Sequence, residues 1–160
     1  MRLKKGENVE PFKFEEVIRP WGYYGLYADN VKSTTKILYV KKNETLSLQY
    51  HLKRAQFYLL LSDNFIIQYS STPIPLDIVN MSDFDDKKFK LIENFLDINL
   101  ITIEANKLDM FGFHEYVIHR AKYVGKEEYG MILDVAFGIN DENDIFRIKD
   151  AYNRTSFSNI

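Results

Sequence analysis

The chain has 160 residues, 46% hydrophobic and 15% aromatic, which suits one globular domain with a substantial core. A net charge of −2 gives no basis for contact with nucleic acid or an anionic membrane surface. The absence of cysteine excludes disulfides and thiolate metal sites. No apolar run is long enough to span a bilayer, and MRLKKGENVE lacks the apolar region of a secretory leader, so a cytoplasmic location is the expectation.

Residues 1–10 are polar and read as a loose N-terminal segment. Pro11 to Ile18 suits an edge strand or a single helical turn. Arg19-Pro20-Trp21-Gly22 is turn punctuation, and its tryptophan is expected to plug one end of a barrel. Tyr23 to Tyr27 and Lys32 to Lys41 read as strands joined by a hairpin turn at Ala28 to Val31. In Thr45 to Leu61, Leu46, Leu48 and Tyr50 alternate with Ser47, Gln49 and His51, the period of a half-buried strand. One face is apolar, and the other carries an amide and an imidazole two residues apart. A turn over Leu52 to Ala55 precedes a returning strand, Gln56 to Leu61. Phe65 to Tyr69 is a further strand, leading into an extended Ser70 to Pro75.

Ser82-Asp83-Phe84-Asp85 has the form of a helix start. Phe89, Ile92, Phe95 and Leu96 then recur at helical spacing, predicting an amphipathic helix over 83–96 that covers an open end of the barrel. Asn99 to Glu104, Val117 to Tyr123 and Met131 to Phe137 are strands, with 107–116 as a connection. Ile145, Ile148 and Tyr152 share one helical face at the end. About ten short strands with interspersed turns predict an all-β sandwich or barrel.

Ser47, Leu48, Gln49, His51, Arg54 and Gln56 stand where type II mannose-6-phosphate isomerases, a branch of the cupins, have SLQ-x-H-x-x-R-x-E. Arg19-Pro20-Trp21-Gly22 with Tyr24 resembles that family's RPWG opening, His119-Arg120 its second motif, and Glu142 to Arg147 with Asp150, Tyr152 and Arg154 its closing block. The resemblance implies a cupin double-stranded β-helix (jelly-roll barrel) with one or two short helices, in a single domain over 1–160. It implies aldose–ketose isomerisation of a sugar phosphate, such as mannose 6-phosphate to fructose 6-phosphate, with a divalent metal. A homodimer joined through edge strands is also implied.

Carried over position by position, the resemblance gives Gln49, His51, Gln56 and His119 as ligands of zinc or manganese. Gln56 stands where the family has glutamate, so the set has no anionic member, which weakens metal binding. Either another acid such as Glu115 substitutes, or Gln56 bonds a sugar hydroxyl and the site works without metal. His114 and Tyr116 occupy the places of a proline and glycine ahead of His119. Loss of that glycine alters the turn, and a turn restored by Gly112 in another register would make His114 a rival ligand. Arg54, Arg120, Arg147 and Arg154, with Lys36, are candidate clamps for a phosphate. Glu115, His114 and Asp144 are candidate bases, and the sequence does not choose among them. The alternatives to the isomerase are a cupin that binds a sugar phosphate or nucleotide sugar without metal, and a metal-free sugar-nucleotide epimerase.

Overall fold

The computed structural model describes residues 15–29, 33–81, 86–139, 141–152 and 154. The N-terminal segment 1–10, the middle of the first hairpin turn and the Ser82 to Asp85 helix start lie outside them. The described strands are β1 (Glu15–Arg19), β2 (Gly22–Asp29), β3 (Ser33–Lys41), β4 (Leu48–Tyr50), β5 (Arg54–Leu60), β6 (Phe65–Ser70), β7 (Leu100–Ala105), β8 (Met110–Phe113), β9 (His119–Tyr123), β10 (Tyr129–Gly138) and β11 (Phe146–Lys149). They form two antiparallel sheets, ordered β1-β2-β3-β10-β5-β8 and β11-β4-β9-β6-β7, packed as a jelly roll. The main core between them includes Leu38, Tyr58, Leu60, Phe65, Ile67 and Ile132. Trp21 is buried in that core.

Period-two patterning decides which side chains enter. Along β5, Arg54, Gln56, Tyr58 and Leu60 are buried, and along β10 Gly130, Ile132, Asp134 and Ala136 are. Register places Asp134 beside Tyr58 on one side and Lys36 on the other, with Ala136 beside Gln56. Polar residues on these strands therefore share one inward patch. At Gly22, φ is +143°, and a Cβ there would collide with the Tyr39 carbonyl, which explains the glycine of the RPWG turn.

Helix α1 (Leu76–Val79) is short, and α2 (Asp86–Asn99) ends three residues later than the sequence suggests. Ile92 and Leu96 of α2 pack with Leu48, Tyr50, Ile118 and Ile148 in a second apolar cluster. These strand residues point away from the inward patch, so α2 covers the back of the β11-β4-β9 end of its sheet. It is a lid on a sheet face rather than on an open barrel end. Lys88 is buried because its ammonium donates to the Val79 and Met81 carbonyls at 2.8 and 3.0 Å, which ties α2 to the chain after α1.

Two connections differ from expectation. The stretch 107–116 contains strand β8, which pairs with β5. The proposed helical face at Ile145, Ile148 and Tyr152 is instead a 3-10 turn at Glu142–Asp144 followed by β11. Pairing with β4 (Arg147 opposite Gln49) satisfies a ladder that a helix would leave open. Among the described residues no helix is long and apolar enough to cross a membrane.

Candidate functional site

Three of the four residues assigned to metal binding meet at one point. His51 Nε2 lies 3.0 Å and His119 Nε2 lies 2.7 Å from Gln56 Oε1. Both imidazoles are buried. His51 Nδ1 is 2.7 Å from the Asp144 carbonyl, and His119 Nδ1 is 2.9 Å from the Val117 carbonyl. A carbonyl can only accept, so both rings carry their proton on Nδ1. Burial, followed by the Arg54 charge, holds the His51 pKa well below its ordinary value. Burial takes His119 down to about 4. Both rings are thus neutral at pH 7, with Nε2 lone pairs directed at an amide oxygen.

Three acceptors facing one another need an electrophile among them or a rearrangement. A divalent cation held by His51, His119 and Gln56 satisfies all three atoms, and carbonyl-bonded Nδ1 groups are the usual supports of metal-ligating histidines. A half-turn of the Gln56 amide is the other solution, giving one N–H to each Nε2. The donor set fits a cation but lacks a first carboxylate. Among the described residues no three His, Cys, Asp or Glu side chains gather as a metal-ligating group. The nearest compensating charge is Asp134, whose carboxylate accepts from Gln56 Nε2 at 3.3 and 3.4 Å. The fourth residue, Gln49, has its oxygen bonded by Ser47 Oγ at 2.6 Å and its amide nitrogen 3.5 Å from His51 Nε2.

Above this point opens a cleft lined by Gln49, Gln56 and Asp134. The imidazoles lie beneath these residues rather than along the cleft wall. Arg19, Lys36, Arg54, Arg147 and Arg154 also line it, against the single carboxylate of Asp134. Lys36 and Arg19 approach the Tyr24 ring, at 4.7 and 5.3 Å from its centroid, which orients two cations at the mouth. Arg154 is held bidentate by Asp150, at 2.7 and 3.0 Å. Among the described residues that line the cleft, cationic side chains thus outnumber carboxylates.

Not every assigned residue reaches this cleft. His114 is exposed, Glu115 is half-buried, and neither lines it. Arg120 points out of the opposite side of β9 from His119 and donates to Gln68. Asp144 is buried but fully engaged, its carboxylate accepting from the Leu52 and Lys53 amides at 2.9 and 3.1 Å. With its carbonyl on His51, Asp144 clasps the loop that carries this imidazole. In the turn before His119, Tyr116 adopts φ +67° at the place where the resemblance implies a glycine. Its amide donates to the His51 carbonyl at 2.8 Å.

Sequence reasoning missed Asp134 and gave Arg19 no role. Asp134 was detectable as the lone acid in MILDVAF, at the inward parity of an otherwise apolar strand. Burial pushes its pKa up to about 6, against the pull of Lys36 and Arg54.

Comparisons agree with this architecture. No curated protein matches the chain in sequence. Among solved structures, the capsular polysaccharide assembling protein CapF from Staphylococcus aureus superposes with a TM-score of 0.60 at 12% identity, over 88% of this chain and 35% of that one. The chain thus spans about a third of CapF. KdgF from Halomonas sp. has a TM-score of 0.56 at 9% identity, over 82% and 91% of the two chains. Oxalate decarboxylase from Bacillus subtilis has 0.58 at 13% identity, over 84% and 30%. These likenesses establish the fold. Residues 6–117 match the family model described as mannose-6-phosphate isomerase C-terminal, a stretch that ends before His119, Asp134 and the closing arginines. The chain belongs to the mannose-6-phosphate isomerase C-terminal family of cupins.

Proposed function

We propose that the cleft binds a phosphorylated sugar and interconverts its aldose and ketose forms, with a divalent cation held by His51, His119 and Gln56. The observation that carries this reading is the convergence of two neutral, carbonyl-braced imidazoles on Gln56 beneath a cationic cleft. A half-turn of the Gln49 amide would add its oxygen as a further ligand. When bound, the cation supplies polarisation of the sugar's C1 and C2 oxygens. Arg54, Arg147, Arg154 and Lys36 hold the phosphate, with Arg19 at the mouth. Asp134 is assigned as the base that moves a proton between C1 and C2. It lines the cleft, and burial brings its pKa to about 6, where a carboxylate is both ionised and basic at neutral pH.

A second reading rests on the absence of a carboxylate among the three converging atoms. The Gln56 half-turn closes the network without metal, and the same cleft then binds a sugar phosphate or nucleotide sugar, with or without epimerase chemistry. The sugar-phosphate class draws support from the family and from a structural neighbour named for capsular polysaccharide assembly. The test is conversion of mannose 6-phosphate to fructose 6-phosphate by wild type and Asp134→Asn, each with zinc, manganese or chelator. Metal-dependent conversion that falls about 10²–10⁴-fold in kcat in the variant is the expected result. Conversion undiminished by Asp134→Asn would remove Asp134 as base. Binding of mannose 6-phosphate that ignores metal, without conversion, would favour the second reading.

A further inference from the structure

Beyond β11, Asp150, Tyr152 and Arg154 form a short arm that ends at the cleft, and its arginine is fixed on two sides. Asp150 accepts from Arg154 Nε at 3.0 Å, from Nη2 at 2.7 Å and from the Arg154 backbone amide at 2.7 Å. The Tyr152 ring lies against the guanidinium, with Cζ 5.0 Å from the ring centroid. Pairing along the Nε edge leaves Nη1 outside the carboxylate's reach. The side chain lines the cleft and is 27% exposed, so a solute can approach that end.

Tyr152 is itself tethered. Its hydroxyl donates to the Glu44 carboxylate, 108 positions away in sequence, and lies 3.2 Å from the Thr45 carbonyl. Both acceptors sit in the connection between β3 and β4, which main-chain bonds hold in place. The Glu44 amide donates to the Lys41 carbonyl at 2.9 Å, and the Glu44 carbonyl accepts from the Tyr123 amide at 3.2 Å. Thr45 bridges to Lys122. Burial, and then the Glu44 carboxylate, raise the Tyr152 pKa, so the phenol keeps the proton that it donates. The ring also packs against the main core. Phenylalanine would serve that packing equally; the hydroxyl adds a charge-assisted bond that fixes the ring beneath the arginine.

We propose that Tyr152, latched by Glu44, is a positioning residue that holds the Arg154 guanidinium with Nη1 presented to the phosphate of a bound sugar. The proposal rests on the reading of the cleft as a sugar-phosphate site, and adds how one of its cations is set in place. A long arginine loses rotamer freedom when it grips a ligand. Here the carboxylate of Asp150 and the latched ring impose that order before the ligand arrives, so the cost falls on folding rather than on binding. Tyr152 touches no substrate atom and acts only through Arg154. A simple tether for the end of the chain would act on the whole cleft instead, and the two roles differ in what they couple to.

Calorimetric titration with mannose 6-phosphate and with mannose tests it, on wild type, Tyr152→Phe, Arg154→Ala and the double variant. Tyr152→Phe is expected to weaken mannose 6-phosphate binding about tenfold and to leave mannose binding unchanged. In the Arg154→Ala background the same change should have no further effect, because the group it positions is gone. Equal affinity of wild type and Tyr152→Phe for mannose 6-phosphate would overturn the proposal. So would losses that add in the double variant, the mark of a tether acting independently of Arg154. Proton–nitrogen spectra of the arginine Nε–H groups read the arm without any ligand. The signal lost in Arg154→Ala should be sharp in wild type and broadened in both Tyr152→Phe and Glu44→Ala. A signal unchanged in those two variants would overturn the latch whatever the cleft binds. The expected signals in a wild type that binds neither sugar would instead overturn the sugar-phosphate reading, and with it the ligand named here, while upholding the positioned arginine.

Discussion

Gln56 joins two imidazoles on its oxygen and the Asp134 carboxylate on its nitrogen. Gln56→Glu would place a second carboxylate against Asp134, and the pair would share a proton until a cation compensates both. The variant is therefore predicted to bind zinc more tightly by about 2–3 kcal/mol. Calorimetric titration of both proteins checks this, and equal affinities would take Gln56 out of the metal's reach. Asp134 also governs response to pH. Its folded pKa of about 6 exceeds the ordinary 3.8, so its contribution is fully present below about pH 4. That contribution, about 3 kcal/mol, is lost as pH rises through about 6. His119, lowered from 6.5 to about 4, runs the other way, its stabilisation present above pH 6.5 and lost as pH falls toward 4. In chelated protein, Asp134→Asn should thus be more stable than wild type at pH 8 and lose more stability on acidification to pH 4. Parallel denaturation profiles at pH 4, 6 and 8 would contradict the assignment. His51, His119 and Gln56 were legible in sequence because they fall at motif spacing. Asp134 was not, because nothing local separates an inward acid from a chance one until β10 is placed between β3 and β5.

At the scale of elements, α2 acts on the site through β4. Ile92 is fully buried against the back of the strand that carries Gln49. Ile92→Ala should cost about 2–4 kcal/mol by leaving a cavity, while Lys90→Ala on the exposed face should leave stability unchanged. Denaturant unfolding of the two variants checks this, and equal effects would mean α2 is not seated as described. The Asp144 clasp offers a parallel test. Asp144→Ala leaves two amides without their acceptor, and a loss of about 1–3 kcal/mol is expected. Zinc affinity should fall with it, because the His51 loop loosens. Helix α2 was legible from its apolar spacing, but its destination was not, since periodicity reports a buried face and not what lies beneath it. At β11, three apolar residues mimicked a helical stripe. Tertiary pairing with β4 decided the strand. Tyr116 shows a third limit: its left-handed backbone costs on the order of 1 kcal/mol, which its bond to the His51 carbonyl helps offset.

For the molecule as a whole, the two sheets divide the labour. One contributes Gln56, Asp134, Lys36 and Arg54 from its inner face, the other Gln49 and Arg147, and the cleft forms where they meet. The jelly roll was legible from strand count and motif order, whereas the polar patch shared by β3, β10 and β5 appears only once register is known. On the proposed reading, His51 and His119 present their Nε2 atoms to a cation beneath this cleft. With only three histidines in the chain, proton–nitrogen correlation spectra of the imidazole rings test it directly. Chelated protein at pH 7 should show His51 and His119 as neutral rings protonated on Nδ1. Adding zinc should move their two Nε2 resonances and leave His114 unchanged. Rings protonated on Nε2, or Nε2 resonances indifferent to zinc at saturating concentration, would contradict the account.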